Sequence, residues 1–200
     1  MKTQFDKAHH ADIAERVQLV EDLSQSTALP TSSITSSDAQ KTELETELNH
    51  QLRTMPWDYP QPFTLHRTPV AADIDGLHHT NNAVYVQWCE AIGWAHSQSL
   101  GLGLADYLRL NRAMAIRRAE YDYILPTLLG DALTLATWLV ASDGKLTMER
   151  RFQLVRDADQ ALILRGRWDL VCIEVSSGKA RRMPTEFAPY LSAVVDTHSD

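Results

Sequence analysis

Residues 82–100, NAVYVQWCEAIGWAHSQSL, carry Val84, Tyr85, Val86, Trp88, Cys89, Ile92 and Trp94 at helical spacing, with no proline to interrupt them. That is more than one apolar stripe, so a helix here must be covered by other structure on most sides. Thr80 or Asn81 is available to cap its start and Gly101 to stop it. Covering material follows at once. Stretches 113–125, 132–140, 146–155 and 162–175 are rich in strand-forming residues, and 63–70 is a further candidate ahead of the helix. The run Ser142, Asp143, Gly144, Lys145 reads as a hairpin turn, because Asp-Gly tolerates the positive φ that tight antiparallel connections need. Gly130-Asp131, residues 156–160 and residues 176–179 punctuate the other strand ends. The alternation of Met114 and Ile116 changes phase before Ala119, Tyr121 and Tyr123, which predicts a bulge near Arg117 and Arg118. The four later strands read as a meander. The expected class is α+β, with a curled antiparallel sheet wrapped around one long central helix.

Length and composition bound the rest. A chain of 200 residues, 44% hydrophobic, fills one sizeable core and leaves sequence over. The surplus reads as an N-terminal extension, residues 1–55, with no aromatic after Phe5 and a Ser/Thr-rich run, SQSTALPTSSITSSDAQ. Ile13, Val17, Val20 and Leu23 suggest one short helix there, and Leu44, Leu48 and Leu52, after a cap at Asp38, a second. The packed domain is expected over 56–190 and a C-terminal tail over 191–200. Much of the net charge of −7 sits in the extension, and this acidic balance argues against nucleic-acid binding, which needs a concentrated basic surface. Cys89 and Cys172 form no metal-like or CxxC spacing and read as reduced core residues. The first residues resemble no signal peptide, and no stretch approaches the roughly 20 apolar residues of a membrane span, so the expected location is the cytoplasm.

The segment 73–90, DIDGLHHTNNAVYVQWCE, carries the chemistry. It sets two acids, two histidines and two asparagines directly before the apolar helix, and such groups are costly beside a core unless paired or used. The segment also ends at a helix N-terminus, where free N–H groups and the macrodipole favour developing negative charge.

The pattern D-x-D, H-x-N-N and Y-x-x-W-x-E, here Asp73, Asp75, His79, Asn81, Asn82, Tyr85, Trp88 and Glu90, resembles hotdog thioesterases of the 4-hydroxybenzoyl-CoA thioesterase type. That group includes bacterial acyl-CoA and plant acyl-ACP thioesterases. The resemblance implies a hotdog fold, hydrolysis of an acyl-CoA or acyl-carrier-protein thioester, and a place in lipid metabolism. It also implies a homodimer or homotetramer paired through the sheets, and no cofactor. Asp75 would occupy the catalytic acid position, and the Asn82 backbone N–H would polarise the thioester carbonyl. One position departs from the pattern: His78 stands where many relatives have glycine. Either the loop is shaped differently or His78 enters the acyl or pantetheine channel.

Each assignment has a plainer rival. Asp75 could be a turn carboxylate, and as a catalyst it could activate water or attack the carbonyl itself. Asp73 reads as a structural support of the loop and Asn81 as a cap. His79 either hydrogen-bonds the carbonyl or attacking water, or fixes the loop backbone. Glu90, among apolar residues, is expected to make a structural hydrogen bond, with support of the loop as the rival. A Cys89–His nucleophilic pair is disfavoured, since such a cysteine is more often core. A metal on Asp75, His78 and His79 is disfavoured because adjacent histidines rarely face one ion. The paired arginines 117/118, 150/151, 165/167 and 181/182 read mostly as solvated or salt-bridged, with a subset left for CoA phosphates. Tyr107, Met114, Tyr121 and Trp138 either line a tunnel or are core. The rival functions are a non-catalytic acyl-thioester-binding hotdog protein and a hotdog hydratase or dehydratase.

Overall fold

The computed structural model describes residues 55–195, so the expected helices of the extension lie outside the described residues. Strand β1 (Phe63–Arg67) is followed by a 3-10 turn at Ala71–Asp73 and the long helix α1 (Asn82–Ser99). Then come the short helix α2 (Leu104–Leu110) and strands β2 (Arg112–Tyr123), β3 (Leu133–Ser142), β4 (Thr147–Arg156) and β5 (Leu162–Glu174). A second 3-10 turn, Thr185–Phe187, leads into α3 (Ala188–Ser192). Asn81 caps α1 by accepting the Ala83 N–H at 2.9 Å, and Gly101, at φ 77°, follows its last turn.

All strand pairs are antiparallel, in the order β1-β3-β4-β5-β2. This corrects the meander: β3, β4 and β5 are consecutive, but β2 pairs with β5 at the far edge. Hydrophobic alternation fixes which face a strand buries and says nothing about its neighbour. The connection 124–132 carries the chain back from the β2 edge to β3. The expected bulge is present as a register shift between Ile116 and Arg118. At the β3–β4 turn only Gly144 takes positive φ, 67°. Asp143 instead gathers the N–H groups of Lys145, Leu146 and Thr147 on Oδ1, which holds its carboxyl far below the usual range.

One sheet face packs on α1. Tyr85, Cys89 and Ile92 join Leu135, Leu139, Phe152, Leu154, Leu164 and Leu170 in a single buried cluster. Burying a side chain such as Ile92 contributes on the order of 2 kcal/mol. Gly93 lets Trp168 approach the helix; a Cβ there would stand 3.3 Å from the indole. Glycine also keeps β5 thin at Gly166, where an added Cβ would meet Phe152 and Tyr121 at 3.2 Å.

Arg150 faces the same core, buried, with Nη1 donating to His96 Nδ1 at 3.0 Å and to Thr137 Oγ1 at 3.2 Å. Burial lowers its pKa to about 10. Phe63 stacks on the His96 ring, centroids 4.9 Å apart. Beside them the Tyr107 and Tyr190 hydroxyls hydrogen-bond to each other. The stretch that follows returns to the sheet, with the Val195 N–H bonded to Leu139 O at 2.9 Å.

The outer sheet face is crossed by residues 55–61. Trp57 and Tyr59 pack edge-on against Trp138, whose Nε1 donates to Pro60 O at 3.0 Å. Gln153 bridges Pro56 O and the Asp58 N–H, and Arg165 grips the Asp58 carboxylate through two nitrogens. Among the described residues no helix is long and apolar enough to cross a membrane.

Candidate active site

The chain leaves β1, makes one 3-10 turn and folds back on itself before α1. Ile74 and Thr80 form an antiparallel bridge, with the Asp75 N–H on His79 O and the Asn81 N–H on Asp73 O, both 2.8 Å. The His78 N–H closes the tip on Asp75 O at 3.0 Å, and His78 sits at φ 63°. This is a hairpin tip whose last residue must be left-handed, the position where glycine costs least. The left-handed conformation is therefore kept despite histidine, and the His78 side chain is exposed.

Asp75 is half-buried. Its Oδ1 accepts the Leu77 N–H at 2.8 Å and the His79 N–H at 3.3 Å, so the backbone fixes the carboxylate. Asp73 supports the preceding turn, its Oδ2 accepting the Val70 N–H at 2.9 Å. His79 is exposed; its backbone closes the loop, and its ring has no hydrogen bond among the described residues. Asn82 is the first helical residue, where no intrahelical carbonyl can take its N–H. The Tyr123 hydroxyl approaches Asn82 O at 3.5 Å. The loop thus gathers Asp73, Asp75, His79, Asn81 and Asn82 at the start of α1.

Glu90 differs from expectation. It is exposed and makes no hydrogen bond or ion pair among the described residues. Asn82, Val86 and Glu90 follow one another at i, i+4 spacing along the side of α1 that the sheet leaves uncovered, so water solvates the carboxylate. Cys89 is buried and its thiol is pushed up by burial, which removes it as a nucleophile. Trp138 lies on the outer face under residues 55–61, away from the loop. Tyr107 is core, and Tyr121 accepts the Trp168 Nε1–H at 2.7 Å. Among the described residues no cluster of His, Cys, Asp and Glu could hold a metal ion.

Most of the singled-out arginines are paired. Arg151 and Arg167 share Glu149, Arg165 holds Asp58, Arg118 holds Glu120 and Arg181 reaches Glu174. Arg117 and Arg182 have no ion pair among the described residues.

Beneath the loop lies a buried polar cluster that the sequence did not mark. Thr80, Tyr85 and Thr127 are buried, and Thr80 and Tyr85 each hydrogen-bond to Thr127, which the 124–132 connection supplies. A lone threonine after Pro126 in an apolar stretch carries no spacing signal.

The family model of the thioesterase-like superfamily matches residues 69–191, from the approach to the loop to the end of the core. The chain belongs to the thioesterase-like superfamily. Its hotdog fold is shared with a 1,4-dihydroxy-2-naphthoyl-CoA thioesterase from Synechocystis, at 21% identity and TM-score 0.59, over 67% of this chain and 96% of that one. A hypothetical protein from Staphylococcus aureus, solved in complex with CoA, is similar at 20% identity and TM-score 0.61, over 69% and 89%. A gentisyl-coenzyme A thioesterase is similar at 14% identity and TM-score 0.54, over 63% and 98%. No curated protein matches this thioesterase-like chain in sequence.

Proposed function

We propose that this thioesterase-like protein hydrolyses acyl-CoA, or acyl-carrier-protein, thioesters to free acid and thiol. The observation that carries this is Asp75, a carboxylate fixed through one oxygen in a loop that ends at the N-terminus of α1. A thioester carbonyl seated on the Asn82 N–H would be polarised by a main-chain donor and the helix dipole, which strengthen as the oxygen gains charge. Asp75 then either takes a proton from the attacking water or attacks the carbonyl carbon to give an anhydride that water opens. In both routes the C–S bond breaks and the thiolate leaves. His79 is assigned to the carbonyl or the water, while Asp73 and Asn81 hold the loop and Glu90 stands further along the same helix side. Similarity to CoA thioesterases and to a protein solved with CoA supports CoA as the carrier.

The active unit is proposed to be a homodimer or higher oligomer. Strand β2 is a free edge, and Leu77 and Leu129, 76% and 62% exposed, stand on two segments tied by the Gly130 N–H to Pro69 O at 3.0 Å. An open strand edge and exposed apolar residues each call for a partner surface.

A panel of short, medium, long and aromatic acyl-CoAs, followed by thiol release, tests the proposal. Turnover on at least one is expected. Binding of the panel without any hydrolysis would favour a non-catalytic acyl-binding protein instead.

A further inference from the structure

Within residues 71–83 only Thr80 is buried; every other residue of the loop and the helix start is exposed or half-exposed. The loop is therefore tied to the interior at one point. Thr80 is 3% exposed, and its N–H bonds to Thr127 O at 2.9 Å. Its hydroxyl approaches the same carbonyl at 3.3 Å and lies 2.7 Å from Thr127 Oγ1. Thr127, fully buried, also meets Tyr85: hydroxyl to hydroxyl at 2.8 Å, and Thr127 N–H to Tyr85 oxygen at 3.2 Å.

Proton accounting gives this cluster one direction. The carbonyl can only accept, so the Thr80 hydroxyl donates to it, and the Thr127 hydroxyl donates to Thr80 Oγ1. The Tyr85 hydroxyl is then the donor to Thr127 Oγ1, and its own oxygen receives the Thr127 N–H. Each hydroxyl donates once, and bonds aligned head to tail polarise one another. Tyr85 belongs to the first turn of α1, and Thr80 lies on the bridge that holds Asp75. Both are fastened to the same residue.

We infer that Thr127 is a positioning residue, the common anchor that fixes the Asp75 loop relative to the N-terminus of α1. The inference rests on the thioesterase reading of that loop. Thr127 touches no reacting atom; it sets the geometry between the carboxylate and the donor that must act on one carbonyl. Small displacements of reacting groups cost rate far more than binding. Replacing Thr127 by valine keeps the shape and removes the hydroxyl at the centre of the chain. Serine restores it.

The test uses the full-length protein with three variants, Thr127→Val, Thr127→Ser and Tyr85→Phe, assayed on the best thioester of the wild type. Thr127→Val should lower kcat on the order of 10-fold or more with KM little changed, as expected when the reacting groups are misplaced while the substrate-binding contacts remain. Tyr85→Phe should fall less, and Thr127→Ser should stay near wild type. Amide exchange over residues 74–82 supplies a readout independent of activity: Thr127→Val should exchange faster there while the β3–β4–β5 amides stay protected. Wild-type kcat in a folded Thr127→Val, or equal losses in Thr127→Val and Thr127→Ser, overturns the inference. If the wild type hydrolyses nothing, the thioesterase reading fails, and unchanged loop exchange in Thr127→Val would then refute the anchor as well.

Discussion

Asp75 holds the Leu77 N–H on Oδ1 at 2.8 Å, and no hydrogen bond among the described residues engages its Oδ2. One oxygen orients the group, and the proposed mechanism assigns the other to a water or a carbonyl carbon. Asp73 contrasts with it: its Oδ2 is committed to the Val70 N–H of the turn that leads into the loop.

The Arg150–His96 contact makes stability depend on pH. A guanidinium only donates, so Nδ1 of His96 must accept and the ring must be neutral. Burial first, and the Arg150 charge second, lower its pKa from 6.5 to about 4. An unfolded chain binds this proton at higher pH than the folded one, so the stability contribution is present above pH 6.5 and is lost as pH falls towards about 4. His96→Gln keeps an acceptor but does not titrate, so urea unfolding should show the variant losing less stability than wild type between neutral pH and about pH 5. Equal losses would refute the assignment.

Gly166→Ala should destabilise the core by about 1–3 kcal/mol, because the new methyl would press on Phe152 and Tyr121, which are already packed. Denaturant titration reads this directly, and an unchanged midpoint would show that both rings can yield.

Removal of residues 1–54 should leave a folded, active protein, since the extension lacks the apolar density of the core. Removal of residues 1–61 should not, because it strips the ring contacts and hydrogen bonds made to Trp138 and Gln153. Thermal melts of the two truncations should differ clearly. A matching pair would mean that the 55–61 segment is dispensable.

Light scattering should find at least a dimer. Leu77→Asp combined with Leu129→Asp should favour the monomer and reduce turnover, by placing charge on the exposed apolar residues. A stable, fully active wild-type monomer would contradict the oligomer.

Local signals carried much of this structure. The helix start at Asn81, its stop at Gly101 and the bulge at Arg117 follow from capping, left-handed preference and alternation phase. Strand order was not legible, because the β2–β5 pairing depends on where the chain crosses in three dimensions. Arg150 was legible in part: it shares parity with Met148, Phe152 and Leu154, which marks a core position, yet its charge argued for solvent. The partner that decided the matter, His96, is on another element. The hydrogen bond expected of Glu90 is absent among the described residues for the opposite reason, since apolar neighbours in sequence do not tell which side of a helix a sheet will leave open. Thr127 meets Thr80 and Tyr85 only through the fold.

The most direct test is the kinetics of Asp75→Asn. The amide keeps size and most hydrogen bonding but has neither the charge nor the basicity to activate water or attack a carbonyl. With circular dichroism and oligomeric state matching wild type, kcat on the best thioester should fall on the order of 10²-fold or more. KM should change little, and Asp73→Asn should lose less. Near wild-type turnover by a correctly folded Asp75→Asn would contradict the account and pass the role to His79 or Glu90.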